Sequence, residues 1–349
     1  MAALSERPAE IGGAEECCRQ SRHGAGRSTL PNLIIPGAQK SGTSSLHAWL
    51  ADHPQCVMSQ PKEPMFFSRS DLRHGIAQYS KCFPHDHHDD IARIIGEAST
   101  TYLSIPGVPA RIADVIGKEV KFVFVLRNPA ERAVSAYWHM AKRLRELRCL
   151  EDVLAIDSVD LEASIDGESE GIRAAERECK VVTDGYERSI GDRYWSFRYL
   201  RNSCYLEDLR RFEAVFGRGQ MLILLSDDLA MQPEESFVRT TDFLGIERFV
   251  PQSVGSLHNV TKVPAQNWIS SILIALLRRL PASTDGVKRT VLAKISTNVP
   301  RVPKHIVESL VNLFRPHNES LSEYLDRDLS GWSELPLSNQ AVSRHVNAN

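Results

Sequence analysis

Ile34-Ile35-Pro36-Gly37-Ala38-Gln39-Lys40-Ser41-Gly42-Thr43-Ser44-Ser45-Leu46 is the stretch on which the reading of this chain turns. An apolar run feeds a glycine-containing turn, and the turn opens a helical pattern with Leu46 and Leu50 at i, i+4. A helix start of this kind offers free main-chain N–H groups and the positive end of the helix dipole to an anion. The spacing resembles the Walker phosphate loop, G-x-x-x-x-G-K-[ST]. Gly37 and Gly42 fall where that pattern needs them, but Thr43 stands where its lysine belongs. The loop's lysine is Lys40, two residues before the second glycine. Such a loop holds a phosphate and brings its cation from another side, which argues against ATP hydrolysis and for a different phosphorylated donor.

A later strand points the same way. A Walker-type enzyme needs a carboxylate beyond a second apolar strand to help hold Mg²⁺. The best candidate strand, Lys121-Phe122-Val123-Phe124-Val125-Leu126, runs instead into Arg127-Asn128-Pro129. Arginine at a strand end suits a second phosphate through its planar fork of donors. The two segments together predict a donor with at least two anionic groups and no bound metal.

These residues resemble the sulfotransferases that use 3′-phosphoadenosine 5′-phosphosulfate. Gly37 to Leu46 is similar to that family's 5′-phosphosulfate loop, and Val125 to Tyr137 to its 3′-phosphate segment. Between them, Lys62-Glu63-Pro64-Met65-Phe66-Phe67 is similar to the acidic segment of the heparan sulfate and carbohydrate branch. Weaker likeness runs through Tyr205–Leu229 and Leu321–Trp332, so the resemblance covers roughly residues 31–333.

The resemblance implies roles for particular residues. Lys40 would meet the leaving phosphate, and Ser41, Gly42, Thr43, Ser44 and Ser45 would supply amides and hydroxyls to the donor. Arg127 and Ser135 would hold the 3′-phosphate, with Lys262 as an additional ligand. Glu63 would be the general base that takes the acceptor's proton; standing before Pro64, it is pushed toward extended backbone, which suits a side chain aimed into a cleft. Arg132 fits either the phosphate site or the protein surface. One position departs from the heparan sulfate branch: Glu97 is followed by Ala98 where several of those enzymes have lysine. Lys40 then works without that second cation, or the acceptor differs from a heparan-type polymer.

Composition sets the outer bounds. With 42% hydrophobic and 25% charged residues, the 349-residue chain is an ordinary globular protein with room for one large domain. A net charge of −2 gives no overall field for nucleic acid. Seven cysteines, an odd number without C-x-x-C spacing, read as thiols rather than a disulfide framework. Residues 1–30 are polar and lack an apolar h-region, and the apolar run from Trp268 to Leu277 is too short for a bilayer. A cytoplasmic enzyme without a membrane span is the expectation.

Apolar runs alternating with helical patterns predict an α/β fold: a P-loop-like central parallel sheet flanked by helices, in a single domain. The expected organisation is a disordered tail over 1–30, a sulfotransferase domain over 31–333, and a C-terminal tail over 334–349. Within the domain, the acidic, glycine-containing segment 150–193 reads as an insertion or lid. His85-Asp86-His87-His88-Asp89-Asp90 looks like metal-ligand material but has no distant partner, and reads as a solvated loop. Two other readings stay open: a P-loop kinase or NTPase, and a non-catalytic module that binds the nucleotide. The acceptor is a sugar, a lipid or a small metabolite.

Overall fold

The computed structural model of the protein describes residues 30–334, except 70–71, 73–74, 84–91, 155–159, 184–191, 257–261, 265–290, 292–295 and 299–301. The two tails, the His85–Asp90 run and the segment Trp268–Leu277 therefore lie outside the described residues.

Five strands form one sheet: β1 (Leu33–Ile34), β2 (Cys56–Met58), β3 (Ile94–Glu97), β4 (Lys121–Leu126) and β5 (Met221–Leu225). Their spatial order is β2-β3-β1-β4-β5, and every pairing is parallel. The sequence explains why β4 lies deep in it. Phe122, Phe124 and Leu126 face one hydrophobic cluster while Val123 and Val125 face another, so both faces of the strand are buried. The chain begins in the middle of the sheet at β1, fills one side with β2 and β3, then crosses to β4. Such a reversal opens a crevice at the carboxyl ends of the central strands.

Helices close both faces. α1 (Thr43–Ala51) follows β1; α2 (Ile76–Ser80) and α3 (Val108–Val115) flank β3; α4 (Pro129–Lys142) follows β4. Asn128 caps α4 by accepting hydrogen bonds from the N–H groups of Ala130 and Glu131, with Pro129 at the first helical position. α5 (Leu150–Leu154) and α6 (Leu161–Arg177) come next, then α7 (Tyr205–Phe216), α8 (Ser226–Met231) and α9 (Pro233–Leu244). A two-stranded antiparallel ribbon, β6 (Lys262–Pro264) with β7 (Ser296–Asn298), lies against α4, and α10 (Lys304–Leu325) packs on α4 and α7. Among the described residues no helix is long and apolar enough to cross a membrane.

The segment expected as an insertion or lid is, over its described part, packed structure. Ile172 and Ala175 of α6 are buried in a cluster with α4 and α10. The Glu168 carboxylate accepts from the N–H groups of Leu200 and Arg201 at 2.7 and 3.2 Å. Polar composition hid this because one narrow face of a long helix does the packing.

The far end of the chain returns to the crevice. Asn128 Nδ2 donates to the carbonyl of Trp332 at 3.1 Å, and Trp332 Nε1 donates to Asp227 at 3.3 Å. Arg327 adds a two-pronged ion pair to Asp228 at 2.5 and 2.6 Å.

Candidate active site

The loop after β1 is held on two sides. Ala38 N–H donates to the Val125 carbonyl at 2.8 Å, and Val125 N–H returns a bond to the Gly37 carbonyl at 2.9 Å. On the other flank Leu103 N–H donates to the Pro36 carbonyl at 2.9 Å. Gly37 is required here. Its φ is +152°, and a Cβ would lie 2.9 Å from Leu103 Cβ. Lys40 and Gly42 both take positive φ, 70° and 103°, and turn the chain into α1. Gly42, the N-cap, has no side chain to satisfy the first amides, so the helix start stays open to an anion. Thr43 and Ser45 are buried there, and Ser44 is half-buried. The buried Ser41 Oγ has no hydrogen-bond partner among the described residues.

β4 delivers Arg127 to this loop. Its Nη1 donates to the Lys40 carbonyl at 3.3 Å, and its own carbonyl accepts from the Tyr205 hydroxyl at 2.8 Å. Nε and Nη2 both reach Glu131 Oε2, at 3.0 and 2.9 Å. Ser135 follows Glu131 by one turn on the same face of α4, half-buried, which brings it to the side where Arg127 points. Lys262 lies on β6, whose backbone runs beside α4; its side chain is outside the described residues.

Charge is concentrated at this point. The Lys40 ammonium is held down to about 8 by burial first, then by repulsion from Arg127, Lys142, Arg143 and Lys62. His139 is pushed down to about 3 by burial first, then by Lys40, Arg143, Lys142 and Arg145. A cleft whose positive groups repel one another is relieved by an anion. Ala98 still stands where the heparan sulfate branch has its lysine, but Arg127, Lys142, Arg143 and Lys62 are close enough to act on the charge of Lys40. Lys142 and Arg143 lie where α4 ends, and only the fold shows that this end faces Lys40.

Glu63 stands at the edge of this cluster. Its Oε1 accepts from Lys62 Nζ at 2.8 Å and from Thr100 Oγ1 at 3.3 Å, leaving Oε2 without a partner among the described residues. The segment is pinned to the end of β3: the Lys62 carbonyl accepts from Ser59 Oγ at 3.1 Å and from Ala98 N–H at 3.3 Å. Phe66 and Phe67 are core residues.

Arg132 belongs to neither of its two expected places. It is fully buried and donates to Ser203 Oγ at 2.7 Å and to the Tyr199 carbonyl at 2.6 Å. It ties α4 to the turn before α7.

The sulfotransferase domain model matches residues 30–263. This chain belongs to the sulfotransferase family. Among its relatives, the heparan sulfate glucosamine 3-O-sulfotransferase 3B1 of Mus musculus is 26% identical over 88% of this chain and 66% of its own length. The bifunctional heparan sulfate N-deacetylase/N-sulfotransferase 1 of Caenorhabditis elegans is 22% identical over 86% of this chain and 30% of its own length. This sulfotransferase therefore spans less than two thirds of those relatives. The crystal structure of a sulfotransferase from Alicyclobacillus acidocaldarius is 25% identical, covering 87% of this chain and 99% of that one with a TM-score of 0.60. The fold is the expected one: a single α/β domain around a central parallel sheet.

Proposed function

We propose that this sulfotransferase uses 3′-phosphoadenosine 5′-phosphosulfate as donor and a carbohydrate hydroxyl or amine as acceptor. The observation that carries the reading is the junction of Lys40 and Arg127 at one crevice, through the Lys40 carbonyl. The residues fit such a donor. The open start of α1 and the unpartnered Ser41 Oγ suit its 5′-phosphosulfate end, and Arg127 with Ser135 suits its 3′-phosphate.

The donor supplies the sulfuryl group; the chain supplies position and charge. Lys40 faces the phosphate oxygen on which negative charge grows as the bond to sulfur breaks. Glu63 takes the acceptor's proton at Oε2, while Lys62 and Thr100 hold Oε1 and fix the carboxylate's direction. Positioning and preorganised charge do most of the work in such transfers. A carbohydrate acceptor is suggested by the relatives, whose names specify heparan sulfate glucosamine; O- or N-transfer follows from whichever group reaches Glu63.

The test is calorimetry with adenosine 3′,5′-bisphosphate, followed by ³⁵S transfer onto desulfated heparan sulfate oligosaccharides, glycolipids and small hydroxylated metabolites. Binding without added metal, weakened in Lys40→Ala and Arg127→Ala, supports the donor. A folded wild-type protein that gives no binding heat removes it. Lys40→Ala should also raise the barrier by roughly 3 kcal/mol, which lowers kcat by about 150-fold. A protein that binds nucleotide yet transfers to nothing is a binding module instead.

A further inference from the structure

Glu97 closes β3 with its carboxylate fully buried. Three hydroxyls converge on it: Ser99 Oγ at 2.5 Å, the Tyr102 hydroxyl at 3.0 Å, and the Tyr79 hydroxyl. In its ionised form the carboxylate only accepts, and each of these hydroxyls then points its proton at Glu97. Two of the three oxygens are thereby left with lone pairs turned outward, and both are used. Ser99 Oγ accepts from Met65 N–H at 3.0 Å, and the Tyr102 oxygen accepts from Phe67 N–H at 3.2 Å. Met65 and Phe67 lie two and four residues beyond Glu63. Met65 sits in the left-handed region at φ 54°, where the chain turns from Glu63 into the short 3₁₀ turn Phe66–Ser68.

We infer that Glu97 is a positioning residue: through the hydroxyls of Ser99 and Tyr102 it fixes the main chain that carries Glu63. The inference rests on the reading of Glu63 as base and adds a residue that touches no substrate. Buried, fully satisfied networks of this kind hold one arrangement, and a half-satisfied one does not. Burial raises the Glu97 carboxyl to about 7, with the nearby Glu63 charge adding to it and the three hydroxyls opposing it. Its other titratable neighbours, Tyr79, Tyr102 and Cys82, are all pushed up by burial first.

Glu97→Gln separates the possibilities. An amide has one acceptor oxygen and one donor nitrogen, so at least one hydroxyl loses its acceptor and is free to turn its proton toward Met65 or Phe67. Amide exchange at Met65 and Phe67 should speed up tenfold or more, with exchange in β4 unchanged. Transfer from ³⁵S-labelled donor to desulfated heparan sulfate oligosaccharides should lose kcat about tenfold, with adenosine 3′,5′-bisphosphate binding kept within twofold. Ser99→Ala should reproduce the faster exchange at Met65 and the loss of kcat. Tyr79→Phe, which removes a hydroxyl from Glu97 but none from the 65–67 main chain, should leave kcat within twofold.

Unchanged exchange at Met65 and Phe67 in Glu97→Gln overturns the inference without any acceptor. So does an equal loss in Ser99→Ala and Tyr79→Phe, which marks Glu97 as a general support of the core. Glu63→Gln is the separate control. If it keeps full kcat, the base assignment fails; if it loses kcat while Glu97→Gln does not, only the positioning role fails.

Discussion

Arg127 donates a hydrogen bond from Nη1 to the main-chain carbonyl of Lys40, 87 residues earlier, at 3.3 Å. The arginine's charge is therefore fixed to the backbone of the loop that carries the lysine, and each cation raises the cost of the other. Burial first, and then Arg127 and the other nearby cations, hold Lys40 down to about 8 from its ordinary value near 10.5.

An anion beside Lys40 restores the proton. Adenosine 3′,5′-bisphosphate should thus bind with proton uptake between roughly pH 8 and 10, and its affinity should fall as pH rises through 8. The sign follows from the lowered value: the charged lysine that binds the anion is complete only below 8. Below pH 7 this contribution is flat. Calorimetry at pH 8.5 in two buffers of different ionisation enthalpy reads the uptake directly, and identical heats would count against Lys40 as a donor ligand.

Glu131 holds one edge of the Arg127 guanidinium with both bonds on a single oxygen. It leaves the remaining N–H groups for a phosphate, but it is also a like charge one turn from Ser135. Glu131→Gln keeps an acceptor for Arg127 and removes that charge. Nucleotide affinity should rise by about 1 kcal/mol, roughly fivefold, at low salt. Weaker binding in titrations would show that Glu131 acts chiefly to aim Arg127.

Arg132 lies only five residues beyond Arg127, yet it answers to a different part of the molecule. Arg132→Met removes the buried donor to Ser203 Oγ and one of the two donors to the Tyr199 carbonyl, which keeps its bond from Ser203 Oγ. Urea unfolding should show a loss of about 2–4 kcal/mol. Nucleotide affinity of the folded protein should stay within twofold; a selective loss of affinity would return Arg132 to the phosphate site.

Gly37→Ala forces a Cβ against Leu103 at a backbone angle that alanine rarely adopts. The loop must shift away from β4, and nucleotide binding should weaken tenfold or more. Retained affinity together with retained stability would mean that the loop is softer than its hydrogen bonds to Val125 indicate.

The elements that build the candidate site were the most legible in the sequence. β1, the glycine turn and α1 announce themselves by an apolar run, two glycines and i, i+4 leucines, and β4 by five consecutive core-forming residues, Phe122 to Leu126. β2 was missed because three residues, Cys56–Met58, give no period to read. α3 was missed because its short pattern sits between a proline-containing start and Gly117, and α6 because acidic residues cover all but one face. The cations around Lys40 come from Lys62, Lys142 and Arg143, which no spacing rule connects. Glu97 was in view only for its neighbour Ala98. Its own role depends on two hydroxyls close behind it in sequence, Ser99 and Tyr102, meeting the 65–67 main chain more than thirty residues earlier, a contact no local pattern announces.

Asn128 caps the helix after β4 and simultaneously grips the carbonyl of Trp332, so the Arg127 turn is braced by a segment made some two hundred residues later. During synthesis the glycine loop and β4 emerge early, but their final brace comes only once residue 332 has left the ribosome. Until that residue folds back, the turn that carries Arg127 stands without this brace.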